Sequence, residues 1–243
     1  MPGARYAVAV DTATEKQITD QQRRVFDYVV LVPDVPAPMF AEPELFWATP
    51  FKETIKLEAD LIITRDISHW WTGLRNRELV LSTDCRNYKN EIVKDTIYRK
   101  LWRDNQLPNI YNGLMYFRFT QESLEFFTLA REIFNNWTTL SEELINCRDT
   151  EPVTDQVYAL TAKIFGVERC TIPSLDYFTM THMKPHIQGW PTTANWIESV
   201  VTELDGTTVR INNIEQQYPF HYHVKEWLTE EIINTYESTA GVL

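Results

Sequence analysis

Cysteine is scarce in this sequence. Cys85, Cys147 and Cys170 are the only three in 243 residues. They are odd in number and widely spaced, with no Cys-x-x-Cys, so neither a disulfide framework nor a cysteine zinc site is expected. Long apolar runs are missing too, and no stretch approaches the roughly 18 uncharged apolar residues of a membrane span. The opening segment, Met1 to Asp11, carries Arg5 and Asp11 and lacks a signal-peptide h-region. The expectation is a cytoplasmic protein without a membrane span, in which the sequon Asn136-Trp137-Thr138 has no meaning. Positive charge is in deficit: 23 Lys and Arg stand against 34 Asp and Glu, a formal net charge of −11. Proteins that hold nucleic acid by its phosphates show a basic face. Basic clusters here are confined to Arg23-Arg24 and Tyr98-Arg99-Lys100-Leu101-Trp102-Arg103. Nucleic acid is therefore not an expected partner. An acidic chain that binds a diphosphate must cancel charge locally, which a divalent cation does.

What is present suits a packed α/β body. Hydrophobic residues make up 44% and charged residues 23%, enough of each for a core and a solvated surface. Tyr6–Val10 and Tyr28–Val32 read as buried strands on either side of a polar helical stretch, Thr14–Phe26, which suggests a βαβ unit. A Pro-rich loop (Pro33, Pro36, Pro38, Pro43), a helical stretch near Leu45–Glu53 and a strand, Thr54–Leu57, follow. Leu79–Thr83 reads as a strand, Ile92–Asp104 as a helix, and Asn112-Gly113 as the opening of a strand that runs to Phe119. Helices are predicted over Glu122–Trp137 and Pro152–Phe165, and a strand over Asp176–Met183. Asp205-Gly206 between Ile197–Leu204 and Thr207–Ile211 is a hairpin signal, and Glu226–Glu237 is helical. The predicted fold class is α/β: a mostly parallel sheet flanked by helices over residues 1–190, with a hairpin-and-helix appendage over 191–243.

Glu58-Ala59-Asp60 is the first candidate for chemistry. By spacing alone it is weak: with 34 acidic residues in 243, acidic pairs at i and i+2 arise roughly five times by chance. Glu42/Glu44, Asp149/Glu151 and Glu203/Asp205 are other such pairs. Context separates them. Glu58-Ala59-Asp60 follows an apolar strand, and a parallel sheet presents its C-terminal edge to ligands. A bend there brings both carboxylates to one hard cation.

The segment Pro50-Phe51-Lys52-Glu53-Thr54-Ile55-Lys56-Leu57-Glu58-Ala59-Asp60 resembles the lead into the D-x-D motif of glycosyltransferases. Three later pieces, in order, are Tyr111-Asn112-Gly113-Leu114-Met115-Tyr116-Phe117, Thr154-Asp155-Gln156 and Thr181-His182-Met183-Lys184-Pro185. Together they resemble the glycogenin-like group, glycosyltransferase family eight, over about Ala7 to Trp190. The resemblance implies a GT-A-like (Rossmann-related) sheet and transfer of a sugar, most simply a hexose, from a nucleoside-diphosphate sugar to a carbohydrate or other hydroxyl acceptor. It implies Mn²⁺ (or Mg²⁺) held by Glu58, Asp60 and His182, a nitrogen ligand that suits Mn²⁺. Lys184, with Glu58 and Asp60, would hold the donor nucleotide, and Asp155, Gln156 and Asn112 would contact the reacting sugar or acceptor. The chain departs from the pattern in four places. Its acidic motif starts with Glu, and Asn112-Gly113 lacks the small residue between Asn and Gly. Lys184-Pro185 follows His182 closely. Only Met1 to Arg5 precede the first strand, where the family has another strand.

Each residue also has an ordinary reading. His182 can be a strand-end histidine and Lys184 a solvated lysine. Asn112 can be a turn residue, and Asp155 and Gln156 can cap a helix. His221-Tyr222-His223 puts two histidines on one face of a strand. It reads as a pair near an acceptor cleft, with a second metal site as the other option. Trp190, Trp196 and Trp227 can pack in the core or face an acceptor sugar. Two other functions compete: a non-catalytic or truncated binding protein, and a sugar transferase acting on modified DNA, which the acidic charge disfavours.

Overall fold

The computed structural model describes residues 3–32, 35, 38–93, 99–172, 177–184 and 196–240. Its strands, in chain order, are β1 (Ala7–Val10), β2 (Tyr28–Leu31), β3 (Glu53–Leu57), β4 (Leu61–Ile62), β5 (Leu79–Thr83), β6 (Ile110–Arg118), β7 (Thr181–His182), β8 (Thr202–Asp205), β9 (Thr208–Ile211), β10 (Ile214–Glu215) and β11 (Phe220–His221). They form four small sheets, ordered β1-β2, β3-β6-β5, β4-β11-β7 and β10-β9-β8.

The expected large parallel sheet is corrected here. β1 and β2 do pair in parallel, as the βαβ pattern predicts, but among the described strands no third joins them. Both β3 and β5 run antiparallel to β6, which lies between them. β8, β9 and β10 form an antiparallel meander. Among the described residues, the only other parallel pair of strands is β7 with β11. An apolar run records that a strand is buried and says nothing about its direction. β3 and β5 do point the same way, but the antiparallel β6 sits between them.

β6 organises the core. Eight of its nine residues are buried, and only Arg118 is partly exposed. Successive side chains of a strand face opposite sides of the sheet. Met115 and Phe117 pack into a cluster with Phe46, Leu79, Leu81, Phe126, Phe127 and Tyr158. That face is covered by the helices Gln121–Asn135 and Thr154–Phe165. Leu114 and Tyr116 belong to the opposite cluster, with Trp70, Phe178, Met180, Trp196, Phe220 and Trp227. Each fully buried aromatic or aliphatic side chain contributes about 1.5–3 kcal/mol, so β6 is fixed from both sides. Trp196 and Trp227 are core residues, whereas Trp190 lies outside the described residues.

Several local expectations shift. Thr14–Phe26 forms two short helices, Thr12–Glu15 and Asp20–Arg23, capped by Asp11 and Thr19. Leu45–Glu53 is helical only over Leu45–Ala48. Of Ile92–Asp104, the described helix is Lys100–Asp104, and Ile92 bridges to Arg86 instead. Asn112 lies inside β6 and does not open it. The strand expected over Asp176–Met183 is described only as β7, and Asp176 lies outside the described residues, as does Pro185. The hairpin at Asp205-Gly206 is present, with Gly206 at φ +59, the left-handed conformation such a turn requires. The C-terminal helix is Glu230–Ala240.

Sequence C-terminal to residue 190 is stitched into what precedes it. β11 pairs antiparallel with β4 and parallel with β7, so it forms the middle of that sheet. Arg86, just beyond β5, forms a parallel bridge to Thr181 and ties this sheet to the central one. Among the described residues no helix is long and apolar enough to cross a membrane.

Candidate metal centre

The Glu58-Ala59-Asp60 segment connects two sheets. The Glu58 amide donates to the Gly113 carbonyl (3.1 Å), which continues the β3–β6 ladder one step beyond Leu57. The Leu61 amide donates to the Glu58 carbonyl (3.2 Å), which closes a turn. The chain then enters β4, and the Tyr222 amide donates to the Asp60 carbonyl (3.2 Å). This register sets His221 opposite Leu61 on one side and His182 on the other. Residues more than 120 positions apart in sequence meet because β11 bridges β4 and β7.

The side chains converge. His221 Nε2 lies 2.8 Å from Asp60 Oδ2 and 3.4 Å from Glu58 Oε2. One ligand atom from each of Asp60, His221 and His223 lies within 4.8 Å of the other two. Donors on opposite sides of one ion sit about 4.4 Å apart at bond lengths of about 2.2 Å, so the set is close to coordination distance. His221 is buried, Asp60 and Glu58 are partly buried, and His223 is exposed. His223 has φ +36, a conformation costly for a residue with a Cβ. Lys225 forms an ion pair with Asp60 Oδ2.

Electrostatics follow from this packing. Burial raises the Glu58 pKa against the lowering charges of Lys56 and His221. Burial alone would also raise that of Asp60. The hydrogen bond and charge of His221, then those of Lys225, outweigh it and hold Asp60 below the ordinary carboxylate range. His182 is pushed well below its usual value, first by burial and then by the neighbouring charges of His221 and Lys184. Partial desolvation of the His223 ring, with Lys184, His221 and Lys225 near it, pushes that residue down to about 4. His182 and His223 are therefore neutral at pH 7, the form in which an imidazole binds a metal.

The structure distributes the other sequence candidates around this centre. The His182 and His221 rings lie edge to edge, with centroids 4.5 Å apart and 13° between planes, and their Nδ1 atoms are 2.5 Å apart. It touches the proposed metal site through His221. Lys184 is close enough to His182 and His223 to influence both. Asp155, in the first turn of the helix Thr154–Phe165, accepts from the Asn112 amide (2.7 Å) and from Arg99 Nη2 (2.6 Å). Asn112 is 1% exposed, and both polar atoms of its side chain lack a hydrogen-bond partner. Its carbonyl accepts from Lys56 Nζ (2.9 Å), whose other neighbours are Glu42 and Glu58. Gln156 points elsewhere: its Nε2 donates to Asp149 Oδ2 (2.5 Å) and ties the helix to the preceding loop.

The sequence gives His221 and His223 only as a pair near an acceptor cleft or a second metal site, and carries no signal that sets Lys225 or Arg99 at the site. The His-x-His spacing was visible, but its placement against Asp60 depends on a pairing with no local signal. Arg99 looked like one member of a surface cluster. It is 6% exposed, packed over the Tyr111 and Trp102 rings, and bonded to the Ile110 carbonyl and Asp155.

No protein family, curated protein or solved structure matches this chain.

Proposed function

We propose that Asp60, His221 and His223, with Glu58 beside them, hold a divalent cation, best Mn²⁺, and that the chain uses it to transfer a sugar from a nucleoside-diphosphate sugar to a hydroxyl acceptor. The observation that carries this reading is the convergence of one carboxylate and two imidazoles within 4.8 Å, with a second carboxylate 3.4 Å from His221. Two oxygen and two nitrogen donors suit Mn²⁺ better than Mg²⁺, which prefers oxygen alone. His182, named as a ligand from the sequence, stands one ring behind this set.

The surroundings support phosphate departure from a sugar. A divalent cation stabilises the negative charge that builds on a leaving phosphate oxygen. Lys184 and Lys225 lie beside the same histidines and supply point charges for a diphosphate. Asn112 is a buried amide with unmet hydrogen-bonding capacity, the kind of group a sugar hydroxyl satisfies. Asp155 fixes the Asn112 backbone and Arg99, so its role is to hold that wall in place. The glycosyltransferase reading rests on motif order together with this donor set, and it does without the parallel sheet. A carbohydrate or other hydroxyl acceptor and a cytoplasmic setting belong to the same proposal.

The test is thermal shift with Mn²⁺ alone, with uridine, guanosine or adenosine diphosphate alone, and with both. The expected result is stabilisation by Mn²⁺ and a further shift from one diphosphate only when Mn²⁺ is present. Ligand at 100 times its Kd stabilises by about 2.7 kcal/mol, so the effect is readable. Release of that diphosphate from its sugar conjugate, abolished by chelator, tests turnover. No shift with millimolar Mn²⁺ removes the metal reading. Binding without diphosphate release leaves a cation-dependent binding protein.

A further inference from the structure

We propose that a cavity between β8 and the helix Glu230–Ala240 binds a small organic cation: an ammonium on an apolar body that also carries an oxygen acceptor. The site shares no residue with the candidate metal centre and does not rest on that reading.

The cavity measures about 550 Å³, within the range of pockets that hold small molecules, roughly 300–1,000 Å³. Its walls are β8, the helix Glu230–Ala240 and two short helical turns, Trp196–Ser199 and Lys225–Trp227. Ile197, Leu204 and Ile232 line it with apolar surface and pack against the core cluster that holds Trp196 and Trp227. Such a lining gains from covering the aliphatic or aromatic body of a ligand. Two polar groups of the lining are unmet. Trp227 is 2% exposed, and its indole Nε1 has no hydrogen-bond partner among the described residues. The Thr202 hydroxyl is likewise buried without a bond. An indole N–H only donates, so what it lacks is an acceptor. A buried donor left unmet costs stability that a ligand oxygen restores.

Charge decides the sign of the ligand. Glu203, Glu226 and Glu231 border the cavity. Among the described residues none of the three carboxylates pairs with a cation. Arg210, opposite Glu203 across the β8–β9 ladder, lies near Asp205 and Glu215 instead. Glu231 stands in the first turn of its helix, where a carboxylate complements the helix dipole. That accounts for Glu231 and leaves Glu203 and Glu226 without a partner. A bare metal ion does not fit the three. Among the described residues, the one group of three or more acidic, histidine or cysteine side chains close enough to share an ion is Asp60, His221 and His223. Dispersed carboxylates beside an apolar floor suit an organic ammonium, whose charge needs no closed ring of ligands, and they repel a phosphate or carboxylate.

Calorimetry on the full chain in excess chelator, with tyramine as the probe, tests this site apart from the metal centre. Tyramine joins an ammonium, a ring and a phenol oxygen. Three relatives each change one feature: spermidine has no apolar body, phenethylamine has no oxygen, and hydroxyphenylpropionate has the opposite charge. Tyramine should bind one to one, and each of the three should bind at least tenfold more weakly. The chain carries a formal net charge of −11, so a merely diffuse attraction would favour spermidine, the more highly charged amine. Glu226→Gln combined with Glu231→Gln should weaken tyramine at least tenfold, and both positions are exposed, so the fold is kept. Thr235→Trp crowds the cavity from a half-buried helix position and should abolish binding. No binding of tyramine at millimolar concentration overturns the proposal. So does any of the three relatives binding as tightly as tyramine, or wild-type affinity in either variant.

Discussion

Asp60 receives two donors on one oxygen, His221 Nε2 and Lys225 Nζ. Both occupy directions from which a cation would approach. Asp60→Asn keeps the shape and removes the charge, so Mn²⁺ affinity should fall by an order of magnitude or more in calorimetry. Stability should drop by about 1–3 kcal/mol, the worth of hydrogen bonds to a charged group. Unchanged affinity would displace Asp60 from the site. Lys225 acts in the opposite sense, because its ammonium must leave Asp60 or share it with a second cation. Its side chain is 65% exposed, and an exposed pair is worth only about 0–1 kcal/mol. Lys225→Met should therefore strengthen Mn²⁺ binding by roughly two- to five-fold in the absence of nucleotide. It should weaken binding of a diphosphate added afterwards. Weaker Mn²⁺ binding in this variant would make Lys225 a support of the site and exclude it as a competitor.

The elements show what a sequence encodes locally and what it leaves to assembly. β5 was read with its observed bounds, since Leu79–Thr83 is a short apolar run closed by polar residues. The Glu58-Ala59-Asp60 bend after a strand was legible for the same reason. Strand direction was not: burial gives β5 and β6 the same apolar character although they run in opposite directions. His221 was named, yet its place against Asp60 depends on β11 entering between β4 and β7, which no residue of β11 announces. Gly113 marks where two of these elements meet. A Cβ on it would lie 2.6 Å from Met180 Sδ and 3.4 Å from Glu58 Oε2. Met180 is 1% exposed and has little room to yield. Gly113→Ala should cost about 1–3 kcal/mol by overpacking against Met180, read in chemical denaturation. Met180→Ala should relieve part of that cost, giving a non-additive double-mutant cycle. Strict additivity would show that the two positions do not press on each other.

For the molecule as a whole, the centre makes folding stability depend on acidity in a defined window. His182 and His223 are both held below the ordinary histidine value, His223 at about 4. In the unfolded chain both titrate near ~6.5. As pH falls below that value the unfolded state takes up protons that the native state refuses, so unfolding is favoured. Stability is present in full above about 6.5 and is lost progressively as pH falls toward 4. Glu58 works against this trend near the acid end, because its raised pKa lets the native state bind a proton before the unfolded chain does. Asp60 adds its own loss only below the ordinary carboxylate range, since its pKa is lowered. The middle of the window therefore belongs to the histidines. Urea denaturation from pH 7.5 to 4.5 without metal should show falling stability, and His223→Asn should flatten part of the slope. A bound divalent cation deepens the same dependence, because protons compete for its imidazole ligands. The extra stabilisation by Mn²⁺ should weaken as pH falls toward 4, where His223 takes up its proton. Stabilisation by Mn²⁺ that persists unchanged as pH falls through about 4 would remove His223 from the site.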